Sequence, residues 1–176
     1  NIEEVETLPV TVTAAGYATL YAPVALTVPT GVTAHTVTLN GEWATLSEAL
    51  TTIPANTGVV LAGAANTYDF TITTADAFNG TNALTGSVAA EYKTEDAYVL
   101  AMPEGAETAG FYIATKNQNE GAAFLNNSHK AYLPKTVGMN AVSYSFRFGE
   151  GTTGINEVKG ENGNVKAIFD LTGRRV

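Results

Sequence analysis

The chain contains few residues that could act as a general base or bind a transition metal. It has two histidines, His35 and His129, and no cysteine. Each histidine stands alone in a strand-like stretch, without a His-x-x-x-His pair or an acidic calcium loop. The lack of cysteine excludes disulfides, thiolate metal ligands and a cysteine nucleophile. The sequence therefore predicts no metal site and no cofactor, and it favours a structural role for both imidazoles.

The residue types and their spacings also give little support for hydrolytic catalysis. The Gly-x-Ser-x-Gly pattern of a nucleophile elbow is absent, and no glycine-rich segment has the lysine of a phosphate loop. Glycoside hydrolysis needs two carboxylates across a cleft. We interpret the densest acidic group as solvated charge on turn-like segments, which favours a protein that is not an enzyme. This group is Glu91, Glu95, Asp96, Glu104 and Glu107.

Sugar binding without catalysis needs only a few exposed aromatic rings and hydrogen-bonding side chains. The polar, asparagine-rich segment 115–129 is the most ligand-like loop, because long loops carry function more often than short ones. The alternative is that the aromatic residues fill the core, with the tyrosine hydroxyls at its rim. The candidate ligand-binding residues are Trp43, Tyr92, Tyr112, Asn117, Asn119 and Tyr132.

The elements that must position these residues are predicted to be strands. Hydrophobic residues make up 45% of the chain, and they are interleaved with many threonines, a mixture that favours strands. Short alternating segments bounded by turn residues are typical of sandwiches and barrels. The predicted fold is all-β: an antiparallel β-sandwich or barrel with at most one or two short helical turns. The predicted strands span residues 8–13, 16–23, 24–29, 32–40, 57–63, 66–73, 97–102, 110–115, 129–134 and 141–148.

Helix is expected in two places at most. Residues 42–53 place Trp43, Leu46, Leu50 and Ile53 at three- and four-residue spacing, which predicts one or two helical turns, with a strand as the competing interpretation. Residues 74–80 are a second candidate for a single turn.

Three further details of the strands and turns are predicted. In 141–148, Val142, Tyr144, Phe146 and Phe148 should share one face, with the intervening serines and arginine on the other. Gly16 and Gly58 stand where a turn would need positive φ. Residues 53–58 should enter a strand through a proline-led turn.

The chain divides into three segments. Residues 1–148 are predicted to form a globular all-β module, and 149–164 a glycine-rich linker. Residues 165–176 have the alternation of a strand followed by a turn over 170–173, as at the start of a hairpin. We expect this last segment to pack little against the module.

Charge and hydropathy narrow the choice of partners. The net charge is −8 and the isoelectric point is about 4.6, which argues against nucleic acid and anionic membrane surfaces. No apolar run approaches the roughly 20 residues of a membrane-spanning helix, so direct membrane insertion is not expected.

Five blocks of sequence resemble a β-rich module found near the C-terminus of large exported proteins of the Bacteroidetes. The tail over 154–176 resembles the start of the C-terminal sorting segment of the same proteins, with Asp170, Gly173 and Arg174 in its turn. In the family, that segment continues beyond the turn and directs export through the type IX secretion system. The blocks are AAGYATLYAPVAL (14–26), IPANTGVVLAG (53–63), AYVLA (97–101), GFY (110–112) and KAYLP (130–134).

The resemblance implies an accessory module of an exported protein, at the cell surface or outside the cell. It implies upstream domains in the same polypeptide and assigns no catalytic residues. The leading hypothesis is a non-catalytic spacer or interaction module whose partner is a glycan or another surface protein. A carbohydrate-binding module is the alternative, and a glycan-active enzyme is the third possibility.

Overall fold

A computed structural model describes residues 6–115, 122–136 and 139–148. These residues form strands joined by turns, and no helix occurs among them. The strands are β1 (Thr7–Val12), β2 (Tyr17–Leu20), β3 (Ala25–Thr27), β4 (Val32–His35), β5 (Val37–Asn40), β6 (Trp43–Leu46), β7 (Thr52–Ile53), β8 (Val59–Gly63), β9 (Asn66–Thr73), β10 (Thr85–Ser87), β11 (Glu91–Lys93), β12 (Ala97–Ala101), β13 (Gly110–Ala114), β14 (Phe124–Asn126), β15 (Lys130–Pro134) and β16 (Ser143–Phe148).

The strands assemble into four sheets, and the predicted all-β class is confirmed. A four-stranded sheet has the order β1-β9-β3-β7, a central sheet β2-β8-β4, and a seven-stranded sheet β10-β15-β12-β13-β16-β6-β5. Strands β11 and β14 form a separate two-stranded sheet. Pairing is antiparallel throughout except between β16 and β6, which run parallel with Ser145 opposite Trp43. This parallel pair joins segments that are far apart in the chain.

The central sheet is buried on both faces. Val59 and Leu61 of β8 belong to a core shared with the four-stranded sheet, which contributes Leu26 and Phe70. Val60, between them, points the other way into a second core. Because successive side chains of a strand alternate between faces, β8 serves both cores. The result is a three-layer sandwich.

The second core lies between the central sheet and the seven-stranded sheet. Its largest fully buried side chains are Tyr98, Phe111, Leu46 and Leu133. Tyr98 remains hydrogen-bonded, since its hydroxyl donates to the Ala141 carbonyl oxygen at 2.7 Å. One face of the seven-stranded sheet is thus committed to packing against the central sheet.

The helix predicted over 42–53 is wrong, and the competing strand interpretation is confirmed. Ala44 and Leu46 are fully buried, whereas Trp43 is 42% exposed, so the burial follows a period of two. Trp43 and Leu46 therefore lie on opposite faces of β6 rather than on one helical face. Residues 74–80, the second candidate for a helical turn, are also non-helical.

The predicted strand 32–40 is two strands that belong to different sheets. Thr36 separates them: its N–H donates to Ser47 Oγ at 3.0 Å, and its carbonyl oxygen accepts from the Ser47 N–H at 2.9 Å. These bonds replace ladder pairing, so β4 stays in the central sheet while β5 crosses to the seven-stranded sheet.

Two side-chain predictions need correction. Val142 precedes β16 and is 71% exposed, whereas Tyr144, Phe146 and Phe148 pack in the second core as predicted. Gly58 does not have positive φ. A Cβ there would lie 3.0 Å from Leu84 Cβ and 3.2 Å from Ala131 Cβ, so close packing explains this glycine.

The turn predictions at Gly16 and before β8 are confirmed. Gly16 has φ of 85°. The proline-led turn over 53–58 is present, and its left-handed residue is Asn56, with φ of 58°. Asparagine tolerates this conformation better than most residues.

The predicted linker 149–164 and the segment 165–176, with Asp170, Gly173 and Arg174, lie outside the described residues. The boundary after residue 148 stays a prediction. Among the described elements, no helix has the length and apolar character to cross a membrane.

Candidate ligand-binding face

The strand register places three of the predicted aromatic residues on one face of the seven-stranded sheet. Tyr112 lies opposite Val99 on β12 and Ser143 on β16, and Trp43 lies opposite Ser145. Ser143 and Ser145 are two residues apart in β16, so their side chains point to the same side. Residues paired across a ladder also share a face.

The pairing of β15 with β12 places Tyr132 on the same face. Its neighbour Leu133 lies opposite Tyr98, and both are buried in the second core. Tyr132 must therefore point away from that core. We call the side of the seven-stranded sheet that carries Trp43, Tyr112 and Tyr132 the outer face.

Only small residues lie between Tyr112 and Trp43 on the outer face. A Cβ on Gly110 would lie 3.6 Å from Tyr112 Cε1, so the tyrosine ring leans over this glycine. Gly110 is opposite Ser145, which in turn is opposite Trp43. Gly110 is buried beneath the Tyr112 ring, whereas Ser145 is exposed, so a strip floored by a small serine separates Tyr112 from Trp43.

Trp43 is accompanied by a cation on the same face. The guanidinium of Arg147 lies 5.3 Å from the centre of the Trp43 ring. Its Nε donates to Thr45 Oγ1 at 3.4 Å. Arg147 thus offers further N–H donors beside an exposed indole.

Tyr132 is half-buried, because a second sheet covers part of its ring. The β11–β14 sheet lies over this end of the outer face, with Phe124 at 5.3 Å from Tyr132, centre to centre, and Lys93 Nζ at 5.4 Å. Lys93 is also paired with Glu91, which raises the pKa of its ammonium above the usual value. The tyrosine therefore anchors the small sheet.

Tyr92 lies away from the outer face. It is opposite Leu125 in the two-stranded sheet, on the side that points to solvent, and it is 64% exposed. An open groove of about 510 Å³ runs past Tyr92, Tyr132 and Lys135. The structure brings together Trp43 and Tyr112 but separates Tyr92 from them. Asn117 and Asn119 lie outside the described residues.

Both histidines are held by structural hydrogen bonds. His35 is 3% exposed; its Nδ1–H donates to the Ser47 carbonyl oxygen at 2.7 Å, and Nε2 is 2.8 Å from Thr33 Oγ1. Burial lowers its pKa, which favours the neutral imidazole. His129 Nδ1 bonds the Tyr21 carbonyl oxygen at 3.1 Å. Across residues 6–115, 122–136 and 139–148, no cluster of three or more histidine and acidic side chains is placed to hold a metal.

Two contributors to the outer face were missed as ligand-binding candidates. Arg147 and Ser145 were predicted to lie opposite the buried side chains of β16, and that alternation was the signal that could have found them. Their approach to Trp43 depends on the β16–β6 pairing, which sequence periodicity does not reveal.

Comparison with known proteins finds no matching family model, no matching curated protein and no matching solved structure.

Proposed function

We propose that this chain is a non-catalytic accessory module of an exported bacterial protein and that its outer face binds a carbohydrate chain. The observation that carries the binding function is the shared face of Trp43 and Tyr112, with the Gly110–Ser145 strip between them. Export and the accessory role rest on the sequence resemblance.

The chemistry of the strip suits a sugar polymer. A sugar ring has an apolar C–H face, which gains free energy when it covers an aromatic ring. Its hydroxyl groups need donors and acceptors, which Arg147, Ser143 and Ser145 supply on the same side of the sheet. A surface strip floored by the exposed Ser145 admits a long chain that a closed cavity would exclude.

A panel of neutral plant and host polysaccharides in affinity gels tests this function. We expect retardation by at least one polysaccharide, and Trp43→Ala should weaken that binding by at least about tenfold. Tyr92→Ala is the matched control, because Tyr92 is exposed but lies off the outer face. A ligand that Tyr92→Ala abolishes and Trp43→Ala leaves intact would place the site elsewhere.

A passive spacer is the second candidate. It is favoured by the use of both histidines in structural hydrogen bonds and by a central sheet packed on both faces. A spacer predicts no retardation by any polysaccharide, together with a reading frame that encodes a further functional region. Binding abolished by Trp43→Ala would rule this candidate out.

A further inference from the structure

A second cavity, distinct from the outer-face strip, is lined by β1, β2, β12, β14 and β15. Its volume is about 270 Å³. Within the described part of the chain it is lined without any aspartate or glutamate, although the protein carries a net charge of −8. The polar side chains around it are Thr11, Thr13, Tyr17, Thr19, Asn126, Asn127 and Lys130. We call it the Lys130 pocket.

Lys130 has no anionic partner among the residues that the structure describes. Between described residues the structure has one ion pair, and it joins Lys93 to Glu91. Burial of Lys130 lowers the pKa of its ammonium, because the surrounding protein removes water without supplying a counter-charge. An anion that entered the pocket would supply that charge.

The backbone that carries Lys130 is fixed by buried groups. Its carbonyl oxygen accepts from Asn126 Nδ2 at 3.0 Å, and the same amide donates to Ser87 Oγ at 2.6 Å. Asn126 and Ser87 are both buried. The lysine is therefore presented from a rigid site, which reduces the entropy lost when a ligand binds.

Other polar groups of the lining are also free to bind a ligand. Considering only the residues that the structure describes, the hydroxyls of Thr13 and Tyr17 and the side-chain amide of Asn127 have no hydrogen-bond partner. Thr11, by contrast, is bonded to Thr67 at 2.9 Å. The pocket thus combines one ammonium with neutral donors and acceptors.

We propose that the Lys130 pocket binds a sugar acid, with the ammonium of Lys130 on the carboxylate and Thr13 and Asn127 on neighbouring hydroxyls. A carboxylate beside several hydroxyls matches a single cation beside several neutral polar groups. The choice of a sugar acid rests on the proposed carbohydrate binding, but the pocket does not involve Trp43 or Tyr112.

Isothermal titration of the full chain with glucuronate, and with glucose for comparison, tests the proposal. We expect glucuronate to bind, glucose to bind at least about tenfold more weakly, and Lys130→Met to weaken glucuronate binding by about ten- to hundredfold. Lys135→Met is the matched control, since Lys135 is exposed and lines the other groove. Equal binding of both sugars, or unchanged binding by Lys130→Met, would overturn the proposal.

Three further measurements keep the possible outcomes distinguishable. If Lys130→Met does not fold, Thr13→Val should still weaken glucuronate binding several-fold, and unchanged binding by that variant would count against the site. Trp43→Ala should leave glucuronate binding intact, so a failure of the outer-face proposal is distinguishable from a failure here. Polygalacturonate binding that depends on Lys130 would identify a polysaccharide as the source of the acid, whereas binding of the monosaccharide alone would identify a free sugar acid.

Discussion

The Tyr112 ring leans over Gly110, with Cε1 3.6 Å from the position that a Cβ on that glycine would occupy. The same Cβ would lie 2.8 Å from the Tyr144 carbonyl oxygen, which belongs to the neighbouring strand and cannot move alone. Gly110→Ala should therefore destabilise the protein by about 1–3 kcal/mol. Urea unfolding measures this, and Ser145→Ala, an exposed change on the same face, should stay within about 0.5 kcal/mol. A fully stable Gly110→Ala variant would contradict the close approach of β13 and β16.

The three-layer arrangement predicts that truncation of a leucine in the central sheet lowers stability more than truncation of an exposed leucine. Leu61 is fully buried in the central sheet, so Leu61→Ala should lower the free energy of unfolding by about 2–5 kcal/mol. Leu125, which is 42% exposed, is the control, and its truncation should cost much less. Equal losses in chemical denaturation would argue against a buried central layer.

The buried imidazole of His35 predicts a dependence of stability on pH. Burial lowers its pKa below the usual 6.5, against a smaller opposing effect of the bond to Ser47. The unfolded chain therefore takes up a proton more readily than the folded protein as the pH falls. The stability that the neutral imidazole provides is complete above the unfolded pKa and is lost as the pH falls through the folded pKa.

Thermal unfolding from about pH 8 to about pH 5.5 measures this effect, since the range brackets the ordinary histidine pKa. The thermal midpoint of the wild-type protein should fall at the acidic end of this range. His35→Asn should make the midpoint less dependent on pH, and it should lower the midpoint at the higher pH values. A wild-type midpoint that rises on acidification would show that the imidazole is not held neutral.

Periodicity predicted the strands that alternate over five or more residues. Residues 66–73 are an example, because Tyr68 and Phe70 are buried and the alternating Thr67 and Asp69 are exposed. It failed at 42–53, where the spacing of Trp43 and Leu46 imitates a helix although the two side chains point to opposite faces. Strands β10, β11 and β14 contain three residues each, too few for a period to emerge.

The sequence predicted two residues of the candidate site but not their arrangement on one face. Trp43 and Tyr112 were candidates because exposed aromatic rings suit sugars. Their common face depends on two ladders, β13–β16 and β16–β6, which pair distant segments and leave no local signal. Lys130 was missed because its isolation from carboxylates is a property of the folded lining.

Trp43 is the sole tryptophan of the chain, so its fluorescence reports directly on the proposed binding face. The most direct measurement is a titration of the wild-type protein with the polysaccharide that retards it, following Trp43 emission and its quenching by acrylamide. We predict a saturable change in Trp43 emission and protection of Trp43 from the quencher, both weakened by Tyr112→Ala and unaffected by Tyr92→Ala. Binding that leaves both the emission and the quenching of Trp43 unchanged would contradict this prediction.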